Sequence, residues 1–152
     1  MSKFSQQSAE NLRSCHPYLQ AMAYEALKIM DYTVLCGYRP PQEQFKAFKK
    51  GRKFTDKGWI ITNRKKIITK CDGYERIGKH NVFPSLAMDI IPYTKPLDWN
   101  DTENIRVLVG IFLGLALTKN ITIRSGIDFN MNMNFNDDIF EDPYHIELVL
   151  KT

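Results

Sequence analysis

Apolar positions recur along the chain in two rhythms, one helical and one alternating. Leu19, Met22, Ala23, Ala26, Leu27 and Met30 share one face at helical spacing, which predicts an amphipathic helix over 17–30 with Pro17 in its first turn. Ile105, Leu108, Val109, Phe112, Leu113 and Ala116 form a second such stripe and predict a helix over 102–119. Pro41 opens a third helix over 42–50, stopped by Gly51 behind two lysines, and Ser8 is placed to cap a short turn over 8–12. His16, beside the second helix start, is read as structural. Strands are expected at Tyr32–Cys36, 86–91, 121–124 and 145–150, and a small hairpin from 60–62 and 67–69. Helices and strands are mixed with no regular βαβ rhythm. That order predicts an α+β domain: a small antiparallel sheet with helices over one face.

Asp89 breaks the pattern. It sits between Met88 and Ile90 in a strand-like run, and alternation places it with Ala87 and Ile91, opposite Leu86, Met88 and Ile90. A charge inside an apolar run needs a partner. Metal ligation, an ion pair and a water-facing strand edge remain open for it. His80 lies nine positions earlier. Near the C-terminus, Asp142-Pro143-Tyr144-His145-Ile146-Glu147 supplies a second histidine flanked by carboxylates, with His145 and Glu147 on one strand face. Two histidines and one carboxylate are a common catalytic zinc set with a fourth position left for water. His80, Asp89 and His145 are the candidate Zn2+ ligands, with Asp142 the candidate base for the water's proton. Glu147 either fixes a ligand's tautomer or is an ordinary exposed strand residue.

Composition narrows the setting. The chain has 152 residues, 43% hydrophobic and 25% charged, and reads as one domain long enough to bury a core. A net charge of +4 favours polyanionic partners, among them nucleic acid and bacterial cell wall. The basic segment 52–78 reads as either a solvated loop or an electrostatic rim, the solvated loop being favoured. Three cysteines with no CxxC pair suggest neither a disulfide framework nor a cysteine zinc site. The N-terminus lacks the apolar stretch of a secretion signal, and the apolar run 107–117, interrupted by two glycines, is too short to span a bilayer.

Several of these stretches together resemble a known family. The run from Gly78-Lys79-His80-Asn81 through Phe83-Pro84-Ser85-Leu86-Ala87 to Asp89 is similar to the signature of zinc peptidases related to D-Ala-D-Ala carboxypeptidases. It is closer still to that of the L-alanyl-D-glutamate endopeptidases among phage endolysins. Gly37-Tyr38-Arg39 with Gln44 and Gly51-Arg52, and Asp142 to Leu148 with His145 and Glu147, resemble further blocks of that family in the same order. Gly78 stands where serine is frequent, and the His80-to-Asp89 spacing is two residues longer than in the dipeptidase branch, so the Phe83-Pro84 loop is expected to bulge outward.

The resemblance implies a Hedgehog/D,D-peptidase-like fold and zinc held by His80, Asp89 and His145. It also implies Asp142 as general base, Arg39 as the side chain that steadies the oxyanion, and Glu147 and Gln44 in supporting or substrate-binding places. It implies a monomeric phage lysin acting on bacterial peptidoglycan, without nucleic acid or stable membrane association. It further implies a single catalytic domain over 1–152 without a separate wall-binding domain. Such a lysin waits in the host cytoplasm and reaches the wall once the membrane is permeabilised. The alternatives are a D,D-carboxypeptidase or dipeptidase of the same fold, and a non-catalytic basic domain that binds cell wall or nucleic acid. An ion at the acidic loop of Asp137 and Asp138 is left open.

Overall fold

The computed structural model describes residues 2–134 and 142–150. The acidic loop at Asp137 and Asp138 lies outside the described residues. The chain runs α1 (Gln6–Arg13), α2 (Pro17–Leu27), β1 (Tyr32–Cys36), α3 (Pro41–Phe48), β2 (Arg52–Thr55) and β3 (Gly58–Ile61). It continues through β4 (Ala87–Pro92), α4 (Thr102–Thr118), β5 (Ile123–Ser125) and β6 (His145–Leu148).

Local chemistry sets the helix ends. Ser5, not Ser8, caps α1, its hydroxyl accepting the Ser8 N–H at 3.1 Å. Ser8 is instead buried, and its own hydroxyl accepts the Val34 N–H at 3.2 Å, tying the helix to β1. His16 caps α2 through Nδ1, which accepts the Tyr18 N–H at 3.2 Å; its role is structural, as expected. The helix ends at Leu27, and Met30 reaches the core from the turn that follows. Asp101 caps α4 by accepting the Asn104 N–H at 3.2 Å.

The main sheet has the order β1-β4-β6-β5, each neighbour antiparallel. Its two faces are chemically distinct. Met88, Ile90, Ile146 and Leu148 join the core with the stripes of α2 and α4, where Tyr32 and Phe112 meet edge to face at 5.7 Å. Burying such side chains contributes about 1.5–3 kcal/mol each against the unfolded chain, an upper estimate. Asp89 falls on the other face, as the alternation predicted, so the core anchors the strand without enclosing its charge.

The hairpin differs from expectation. It is β2 with β3, registered Arg52 to Ile61 and Thr55 to Gly58. The turn at Asp56 and Lys57 leads into Gly58 at a positive φ of 89°, a conformation glycine adopts without steric cost. The 67–69 segment is not a strand. A 3-10 turn at Arg64–Lys66, with the Asn63 side chain accepting the Lys65 N–H at 3.1 Å, carries the chain away from the hairpin.

Candidate metal centre and active site

The site lies on the sheet face opposite the core, at a cleft of about 1360 Å³. A register shift between Val34 and Cys36 brings Cys36 opposite Asp89, and Asp89 is itself opposite His145. Cys36, Asp89 and His145 therefore form one row across three strands. His80 enters from a 3-10 turn at Lys79–Asn81, anchored by the Arg39 N–H donating to the His80 carbonyl at 2.8 Å.

Three atoms converge there. His80 Nε2 lies 3.1 Å from Asp89 Oδ1 and 3.3 Å from His145 Nδ1, and His145 Nδ1 lies 3.2 Å from the same Asp89 oxygen. The other ring nitrogens are engaged outward. His80 Nδ1 donates to the Gly37 carbonyl at 2.7 Å, and His145 Nε2 donates to Glu147 Oε2 at 2.8 Å. Neutral imidazoles oriented in this way aim two nitrogen lone pairs and a carboxylate oxygen at one point. Only a cation or added protons can satisfy that arrangement. Three ligands of a tetrahedral ion bound at about 2.0–2.1 Å lie about 3.3 Å apart, so the triangle fits a metal of zinc's size and ligand preference. The outward partners are those expected to fix metal-ligating histidines.

Contacts across the triangle shift the titration of all three groups. Burial favours neutral His80, but its contacts with Asp89 and Cys36 outweigh that and push its pKa up to about 10. His145 rises for the same reason, burial being outweighed by Asp89 and Glu147. Burial raises the Asp89 pKa, yet His145 and His80 overcome it and hold the carboxyl well below the usual range.

The remaining expected residues surround this triangle. An Asp142 carboxylate oxygen lies within 4.8 Å of the ligand atoms of Asp89 and His145. Burial, then the Asp89 charge, raises its pKa, as suits a group that accepts a proton. Arg39 donates to Asp89 Oδ2 at 3.2 Å and to Gln44 Oε1 at 3.2 Å. Asp89 thus divides its oxygens: one faces both histidines and the other is paired with Arg39, so it is no water-facing edge residue. Gln44 is buried, and its amide nitrogen is spent on Thr69 Oγ1 at 2.9 Å and the Cys71 carbonyl at 2.8 Å, so it is a strut beneath Arg39. Glu147 is 5% exposed, which excludes an ordinary solvent-facing strand residue. The Phe83-Pro84 loop bulges outward as expected, with Phe83 72% exposed and its ring edge on Tyr38.

One feature was not anticipated. Cys36 offers its sulfur beside His80 and Asp89, 3.5 Å from Arg39 Nη2. Burial alone would raise its thiol pKa, but His80 and Arg39 bring it below the ordinary value. No spacing rule marks it, because its position depends on the strand register. The lysines and arginines of the basic segment from 53 to 76 are exposed, as a solvated loop requires, and Arg64 and Lys70 with Ile67, Ile68 and Thr69 also line the cleft. Arg52 braces that wall by donating to the Phe48 carbonyl at 2.6 Å and the Thr69 carbonyl at 3.0 Å.

A family model described as "Phage L-alanyl-D-glutamate peptidase" matches residues 1–149. The chain belongs to that family. It is 27% identical over 153 residues to the L-alanyl-D-glutamate peptidase of Escherichia phage T5, covering 97% of this chain and 98% of that protein. The fold is similar to the crystal structure of Serratia marcescens L-Ala D-Glu endopeptidase ChiX, with a TM-score of 0.63 and 17% identity. That match covers 96% of this chain and 89% of the other. Among the described residues, no helix is long and apolar enough to cross a membrane.

Proposed function

We propose that this family member is a phage-type endolysin that hydrolyses the L-alanyl-D-glutamate bond of peptidoglycan stem peptides with one zinc ion. His80, Asp89 and His145 would hold the ion. The observation that carries this reading is the triangle of their ligand atoms, with both histidine protons directed outward to Gly37 and Glu147. Zinc, when bound, supplies a Lewis acid and lowers the pKa of water toward about 7.

The chain's own residues do the rest. Asp142 takes the proton of the attacking water and returns one to the leaving amine, a role worth typically about 10²–10⁴ in rate. Arg39, held from behind by Gln44, faces the scissile carbonyl oxygen and stabilises its developing negative charge. Gln44 supports Arg39 and does not contact substrate. The basic cleft wall of Arg64, Lys70 and Lys79 favours an anionic murein substrate.

The proposal includes a single catalytic domain working as a monomer, without nucleic acid and without stable membrane association. It acts at the wall after the host membrane is permeabilised. Digestion of purified murein by wild type and Asp142→Ala, with the products weighed, tests the reaction. Fragments ending at L-alanine, and new D-glutamyl amino termini, are expected from wild type alone. Release of terminal D-alanine instead would assign the chemistry to a D,D-carboxypeptidase or dipeptidase. Zinc content near zero in protein purified without chelator, together with an unimpaired His145→Ala, would overturn the metal reading.

A further inference from the structure

Behind the metal triangle, Glu147 divides its two carboxylate oxygens. Oε2 accepts the His145 Nε2–H at 2.8 Å. Oε1 accepts Arg124 Nε–H at 2.9 Å and also an N–H from Arg124 Nη2. The register of β5 and β6 places Arg124 directly opposite Glu147, so the pairing is built into the sheet. The guanidinium is held on a second side, over the Phe129 ring at 5.9 Å from its centroid, and the Phe129 ring in turn lies 6.0 Å from the His145 ring. Arg124 is absent from the cleft lining, where Glu147 and His145 are found.

We infer that Arg124 is a positioning residue for the metal centre. By holding Oε1 with two N–H groups it turns Oε2 onto His145 Nε2 and so keeps the Nδ1 lone pair aimed at the point shared with His80 and Asp89. This rests on the metal reading of the site and adds a third layer to it: guanidinium, carboxylate, imidazole. Two guanidinium N–H groups on the one oxygen hold Oε1 in place and leave Oε2 to His145, whereas a lysine ammonium is a single point charge on a flexible stem and holds Oε1 less firmly. A plain cross-strand ion pair would contribute to stability alone and leave ligand geometry untouched.

The two roles separate on zinc affinity. Full-length wild type, Arg124→Met and Arg124→Lys are stripped of metal and titrated with zinc against a chromogenic chelator, and the melting temperature of each metal-free protein is recorded. Arg124→Met is expected to bind zinc about tenfold or more weakly, the loss typical of removing an outer partner of a metal-ligating histidine. Arg124→Lys is expected to fall between it and wild type. Zinc affinity within twofold of wild type in Arg124→Met would overturn the inference, whatever happens to its melting temperature. A measurement independent of zinc is the ¹⁵N-resolved ring Nε2–H signal of His145. It should exchange slowly in wild type and rapidly in Arg124→Met, and equal exchange would also overturn the inference. Wild type that takes up no zinc but shows this difference in exchange would refute the metal reading, and with it a role at a metal, while leaving Arg124's hold on the His145 ring standing.

Discussion

Gly126 and Asp142 are joined backbone to backbone, with the Asp142 N–H donating to the Gly126 carbonyl at 2.8 Å. A β-carbon built on Gly126 would stand 1.9 Å from the Asp142 carbonyl oxygen. Gly126 also donates to the His145 carbonyl at 2.8 Å, so this one residue sets the distance between the proposed base and a proposed metal ligand.

Gly126→Ala should therefore push Asp142 away from the cleft while leaving His80, Asp89 and His145 in place. The expected outcome is near-wild-type zinc content with kcat reduced by about tenfold or more, since misplacing a reacting group by about 1 Å can cost about 10²-fold. Zinc analysis beside murein hydrolysis rates checks it. Loss of both properties together would mean that the glycine supports the whole site.

Asp142→Asn keeps the size of the side chain and removes its basicity. Its zinc content should match wild type while the hydrolysis rate falls about 10²–10⁴-fold. His145→Ala should instead lose stoichiometric zinc.

Activity should fall on the acid side as Asp142 is protonated. A base works only when ionised; burial together with the Asp89 charge raises its pKa in the metal-free protein, and a bound cation opposes that rise, so the limb marks Asp142 ionisation in the loaded enzyme. The pH–rate profile of kcat/KM measures this, and Asp142→Asn should lack that limb.

Zinc uptake should release protons. In the metal-free protein the His80 pKa stands at about 10, above its ordinary value of 6.5. Its protonated form thus stabilises the metal-free fold below about pH 6.5, and that contribution disappears as pH rises through about 10. Zinc needs the neutral ring, so its affinity should rise with pH across the same window. Calorimetry in buffers of different ionisation enthalpy counts the protons released.

Phe112→Ala should destabilise the fold by about 3–5 kcal/mol, because the ring is fully buried and packs edge to face on Tyr32. Urea unfolding measures this. Any fall in activity should follow the fraction unfolded, since Phe112 packs in the core on the sheet face away from His80, Asp89 and His145.

The sequence by itself determined the elements and most of the chemistry. Helical stripes such as Ile105 to Ala116 and the alternation around Asp89 are local, because burial on one face of an element forces a period that the chain displays directly. His80, Asp89, Asp142 and His145 stood out because charged or coordinating residues in or beside apolar runs need a partner. Gly78 and the longer His80-to-Asp89 spacing were visible as departures, and the outward Phe83 followed from the latter. What only the tertiary structure decided depends on which strands are neighbours. The order β1-β4-β6-β5 and the register shift beside Cys36 bring that thiol to Asp89, and the separate register of β5 with β6 sets Arg124 against Glu147. The 62–66 segment turned away from the hairpin because the capped turn at Arg64–Lys66 outweighed the β-forming character of Ile67 and Ile68. Asp89 is the clearest division between the two. Its need for a partner is written in its apolar neighbours, but that one oxygen serves the histidines and the other Arg39 follows from three-dimensional placement alone.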